Sequence, residues 1–156
     1  MGIKLIRRTD WQSRLGDYLA GSDGRFKWGN CDCCLAVCDA VMAMTGVDPA
    51  EWFRGRYQTE KGAYKMLGEF LTMNKVDVPA GFSNRVRAMT AVITKSISAI
   101  ETPVLHAGRG DIALLPCGEN RASGLGIVVG DRVLTPGLSG WVANSLPVCE
   151  TVWKIG

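Results

Sequence analysis

"RFKWGNCDCCLAVCDAV", residues 25–41, holds four of the chain's six cysteines within eight positions: Cys31, Cys33, Cys34 and Cys38. It opens in turn chemistry, since "GSDGRFKWGN" (21–30) carries three glycines and Asn30, a cluster that interrupts regular structure. From Asp32 the pattern changes. Aspartate is a good N-cap, and Cys33, Val37, Ala40, Val41 and Met44 recur at helical spacing before Gly46, the residue type that closes helices. The stretch predicts a turn, then a helix with Asp32 as cap and Cys33 at its first position.

Outward from it, "DWQSRLGDYLAG" (10–21) spaces Trp11, Leu15, Tyr18 and Leu19 as a helix that ends at Gly21. Asp48-Pro49 opens a short helical turn through Trp52 and Phe53. "TEKGAYKMLGEFLTM" (59–73) reads as a further helix with Ala63, Met66, Leu67, Phe70 and Leu71 on one side. Residues 80–105 give mixed signals, and no element is assigned there. From Gly110 the text turns into short apolar runs between turn residues, "DIALLP", "LGIVVG", "DRVLTP" and "WVA", which read as antiparallel strands. Helices first and strands last predict one α+β domain over residues 1–156, its N-terminal helices packed on a small antiparallel sheet or open barrel.

Composition excludes several classes. A chain of 156 residues, 47% of them hydrophobic, has enough material for a core. The net charge of +3 is modest and the 18 basic residues are scattered, whereas a nucleic-acid binder usually shows a basic stripe. The start, "MGIKLIRRTDW", lacks a signal-peptide apolar run, and Ile6 stands where myristoylation needs Ser or Thr. The run "AVITKSISAI" is too short for a membrane span and contains Lys95. The expectation is a chain that folds where it is made, in a reducing cytoplasm, with its cysteines as thiols.

Cys33 is the candidate nucleophile. At the first turn of a helix, unpaired N–H groups and the positive dipole end favour the thiolate. A cysteine peptidase also needs a histidine beside the sulfur and a polar group to orient it. The competing reading is a small buried hydrophobe at a helix start. A metal site is not expected: Cys31 to Cys34 has a permitted spacing and Cys117 or Cys149 could add ligands, but no second close pair exists. The five tryptophans read as packing residues. Arg54 and Arg56 beside Tyr57 suit either a carboxylate ligand or a solvated loop. Gly124, Gly126 and Gly130 flank strands and open no helix, which argues against a nucleotide site.

"FKWGNCDCCLAV" resembles the nucleophile segment of the NlpC-type papain-like cysteine peptidases, an aromatic–Trp–Gly turn leading into Asp-Cys and an apolar helix. "GRGDIALLP" resembles that family's Gly-Asp strand start, and "GLGIVVGDRVLTPGLSGWV" its following hairpin. Nearly end to end, the chain resembles a phage and prophage branch of this superfamily encoded among tail-tip genes. The shared features are a "W…RL" helix, "TG.DP", Arg54-Gly55-Arg56-Tyr57, "T..GA", Gly-Asp, Leu-Gly-Ile and a closing Trp-Lys-Ile-Gly.

The resemblance implies a papain-like fold with Cys33 as nucleophile or its remnant, and with Asp32 as the cap that presents it. It also implies a base histidine opening a His-x-Gly-Ile strand. Here that strand reads Gly124-Leu125-Gly126-Ile127, so the imidazole is missing. The sole histidine, His106, precedes the first strand and is the other candidate base, and Asn144 or Thr135 falls near the third-group position. A cysteine without a base is only a few per cent thiolate at pH 7. The resemblance and the missing base together lead to the expectation of a structural component of a phage tail tip or baseplate hub, assembled in the bacterial cytoplasm. Its partners would be other tail-tip proteins. The alternative is an active endopeptidase in which Cys33 attacks the γ-D-glutamyl–diaminopimelate bond of peptidoglycan stem peptides during DNA entry. Neither reading calls for a cofactor, a metal or a nucleic acid.

Overall fold

The helix of the opening stretch is fixed at both ends. In the computed structural model, which describes residues 2–118 and 120–156, α2 (Cys33–Thr45) starts at Asp32, whose carboxylate accepts from the backbone N–H groups of Cys34 and Leu35. It ends at Gly46, in the left-handed conformation (φ 81°), whose N–H bonds Met42 O. Leu35, Ala36, Val37, Cys38, Ala40, Val41 and Met44 are all buried, so α2 is the central helix. On it lies α1 (Trp11–Gly21), where the Tyr18 hydroxyl donates to Ala36 O at 3.0 Å. A 3-10 turn (Glu51–Phe53), α3 (Glu60–Met73, capped by Thr59) and α4 (Phe82–Ser96) complete the helical half.

The strands are β1 (Ile100–Thr102), β2 (Ile112–Cys117), β3 (Ala122–Val129), β4 (Arg132–Gly137), β5 (Gly140–Ser145) and β6 (Thr151–Lys154). They form one open sheet in the order β1-β6-β2-β3-β4-β5, antiparallel throughout. The α+β expectation is therefore met, with helices α2 and α4 lying on β3. Two strands more than the four read from sequence are present, because β1 and β6 are too short to show a period of two.

β2 explains its own text. Ile112 and Leu114 join the core under the helices, while Ala113 and Leu115 join a second cluster on the other face with Val128, Val133, Leu146 and Val152. A strand buried on both faces reads as a continuous apolar run. The second face is covered by the 3-10 turns Val104–His106 and Leu146–Val148.

The unassigned region 80–105 contains α4. Its buried stripe is Val86, Met89, Thr90 and Thr94. Both threonines return their hydroxyls to the helix, Thr90 to Val86 O at 2.8 Å and Thr94 to Thr90 O at 2.7 Å. Polar, β-branched residues on the buried face hide a helix from a hydrophobic pattern. Among the described residues, no helix is long and apolar enough to cross a membrane.

The Gly-Asp strand start closes the domain. Asp111, 3% exposed, pairs with Arg7 at 2.8 Å and accepts from Gly108 N–H at 2.8 Å. Arg7 also donates to Arg109 O at 2.8 Å and to Ile155 O, and stacks over Trp11. One guanidinium thus ties the N-terminal segment to β2 and to the end of the chain.

Candidate functional site

The turn before α2 is built around the cap. Asp32, 3% exposed, uses Oδ1 for Leu35 N–H (2.9 Å) and Cys34 N–H (3.2 Å), and Oδ2 for Gly29 N–H (3.1 Å) and the Tyr57 hydroxyl (2.5 Å). Gly29 has φ 77°, and a Cβ there would collide with Tyr57 O, so the position needs glycine on both counts. Lys27 and Cys31 pair across this turn, and Phe26 N–H bonds Gly137 O at 2.9 Å, which pins the turn to the end of β4.

Cys33 therefore sits where the sequence places it, at the head of a capped helix, but its electrostatics run opposite to expectation. Its pKa is raised well above the ordinary thiol value, first by a side-chain hydrogen-bonding contact with the Cys117 thiol, then by burial, then by the charges of Cys117 and Asp32. The backbone N–H at the helix start lowers it and is outweighed. The cap is part of the reason. Asp32 fills the free N–H groups that a thiolate would use and puts a negative charge one residue away. The other thiols with a resolved shift also move up, mainly through burial: Cys31, Cys34, Cys38 to about 12 and Cys149 to about 11.

Opposite Cys33 stands Gly124 in β3. A Cβ built there would lie 2.7 Å from Cys117 Sγ, 2.9 Å from Cys33 Cβ and 3.2 Å from Cys117 Cβ. The strand thus points position 124 at Cys33. The space a side chain would enter holds the Cys117 sulfur. The sequence marked Cys117 only as a possible extra metal ligand, not as a neighbour of Cys33; the pairing of Leu115 with Gly124 and of Cys117 with Ala122 across the β2–β3 ladder brings it there.

The remaining candidates lie elsewhere or are used internally. His106 is exposed, in the 3-10 turn over the second core face, and its imidazole makes no hydrogen bond among the described residues. Thr135 and Asn144 bond each other across β4 and β5, Asn144 Nδ2 donating to Thr135 Oγ1 and Val133 O at 3.0 Å each. Arg54 is no free cation: it grips Asp48 with two nitrogens (2.9 and 3.1 Å) and Asp39 at 2.6 Å. Arg56 lies over the Trp52 ring at 4.6 Å. The Arg-Gly-Arg-Tyr segment is thus a brace for α2, with Tyr57 reaching Asp32. The described residues contain no group of three or more His, Cys, Asp or Glu placed to hold a metal ion.

Beside Cys33 is a largely apolar cavity of about 170 Å3, lined by Phe26, Trp28, Phe82, Met89 and Ser123 among others. Trp28 stands edge-on to Phe26 and to Phe82, at ring-centre distances of 4.9 and 5.9 Å. The arrangement offers a half-buried thiol beside an apolar recess, with a second thiol, Cys117, against it and, among the described residues, no histidine in the cavity lining.

Fold and site together define an α+β domain whose central helix presents a capped cysteine to an antiparallel sheet. The chain belongs to the family described as Domain of unknown function (DUF6950), whose model matches residues 6–155. No curated protein matches it.

Proposed function

We propose that this protein is a structural component of a phage tail tip or baseplate hub, built on an NlpC-type papain-like fold that has lost its base. One observation carries the loss: the place opposite Cys33 where an imidazole would stand is a glycine whose side-chain space holds Cys117 Sγ. A protonated, half-buried thiol without a general base can neither attack a peptide carbonyl efficiently nor return a proton to the leaving amine. The tail context and the partners come from the resemblance of the Trp-Gly, Asp-Cys and closing Trp-Lys-Ile-Gly motifs. Support for a surface role comes from Leu105 and Leu138, apolar side chains left exposed, and from β5, a free sheet edge. A stable place in a particle needs an interface above roughly 1,000 Å2.

The test has two arms. Quantitative mass spectrometry of purified particles is expected to find the chain in fixed ratio to the other tail proteins; its absence removes the structural reading. Incubation with a γ-D-glutamyl–diaminopimelyl peptide is expected to give no turnover. Hydrolysis that disappears in Cys33→Ala would instead establish the endopeptidase.

A further inference from the structure

Cys33 and Cys117 come from opposite halves of the chain, one heading α2 and the other ending β2, and they flank a single point. The position of an ideal Cβ on Gly124 is 2.9 Å from one β-carbon and 3.2 Å from the other. Two such distances to one shared point hold those β-carbons within about 6 Å of each other, and the two thiols are in side-chain contact; bridged cysteines have β-carbons roughly 3.5–4.5 Å apart, so a disulfide is within reach of a small adjustment. Neither residue is fully buried, in contrast to Cys38 and Cys149. The vicinal alternative, Cys33 with Cys34, would be strained inside the first turn of a helix.

We propose that Cys33 and Cys117 form a redox couple whose co-reactant is a low-molecular-weight disulfide. One of the two, as thiolate, attacks a sulfur of the reagent; a mixed disulfide forms and one reagent thiol leaves. The second protein thiolate attacks the protein-bound sulfur of that mixed disulfide, closing the Cys33–Cys117 bond and releasing the second reagent thiol. Two protein thiols thereby give up two electrons and two protons, and one reagent disulfide becomes two thiols. The product is a covalent tie between the head of the central helix and the sheet. The attack needs a thiolate, so its rate rises with pH over the range in which the Cys33 thiol is held protonated. The couple is independent of any peptidase ancestry, because it rests on the two sulfurs alone.

The experiment uses the full chain, folded, with oxidised glutathione at pH 8.5, followed by acid quench, alkylation and peptide mapping. The expected result is the loss of two of the six thiols, a single cross-link between the peptides carrying Cys33 and Cys117, and recovery of both thiols with dithiothreitol. Cys34→Ser should keep the link. Cys117→Ser should leave Cys33 as a glutathione adduct that does not resolve. Links confined to Cys31, Cys33, Cys34 and Cys38 would overturn the proposal. So would persistent glutathione adducts on the wild-type protein, or six thiols unchanged. If Cys117→Ser does not fold, the wild-type map decides alone.

Discussion

Gly124→Ala puts the reading of the site at risk directly. The added methyl would stand 2.7 Å from Cys117 Sγ and 2.9 Å from Cys33 Cβ, closer than packed carbons and sulfurs tolerate, so a strand or a helix end must shift. Overpacking of this kind costs about 1–3 kcal/mol. Replacing glycine by alanine inside a strand offsets about 0.5–1 kcal/mol of that by restricting the unfolded chain. The net expectation is a destabilisation of about 1–2 kcal/mol. In urea, with a slope near 2 kcal/mol/M, that lowers the midpoint by about 0.5–1 M. Cys117→Ala removes the nearest atom, so in that background Gly124→Ala should cost about 1 kcal/mol less than it does alone. The coupling is read from a double-mutant cycle, by tryptophan fluorescence under reducing conditions. A Gly124→Ala protein as stable as the parent, or a cycle with no coupling, would sink this account of the site. The space opposite Cys33 would then be open to a side chain, and Cys117 would not be what closes it.

Asp32→Ala removes the cap and strands the Gly29 N–H and Tyr57 hydroxyl that Asp32 now accepts from; a loss of about 3 kcal/mol is expected by urea unfolding, and a smaller one in Asp32→Asn. Asp111→Ala leaves the part-buried Arg7 guanidinium without its anion; breaking a fully buried pair costs about 3–5 kcal/mol, and a loss at or just below the lower end of that range is expected, visible as a lower melting temperature. Alkali should weaken the fold. Cys38 is raised to about 12 by burial, above the ~8.5 of an unfolded thiol. The folded state therefore keeps a proton the unfolded state releases, and stability present below about pH 8.5 falls by about 1.4 kcal/mol per pH unit above it. Urea midpoints between pH 7 and 10 check the sign. Iodoacetamide at pH 8 should label Cys33 at least about tenfold more slowly in the native protein than in urea; equal rates would mean an exposed, ordinary thiol.

Capped, periodic elements were legible because their signals are local. Asp32 and Gly46 bracket α2, Thr59 opens α3, and the apolar runs of β2 and β3 are strands because a doubly buried sheet leaves continuous hydrophobic text. Where the buried side chains are threonines, as in α4, or the element is three or four residues long, as in β1 and β6, no period survives for a reader to find. The brace of Arg54 on Asp39 and Asp48 was likewise invisible, since paired and free guanidinium groups are written with the same letter.

The site divides in the same way. The order of residues alone settled that a cysteine follows a capping aspartate at a helix start and that position 124, on a strand, is a glycine, since both are statements about single positions. Whether that cysteine is activated was settled only in three dimensions. The charge state of a thiol depends on everything within a few ångströms of the sulfur. Here those neighbours are a cap that consumes the helix N–H groups, a protein interior that excludes water, and Cys117, delivered by strand pairing from the other half of the chain.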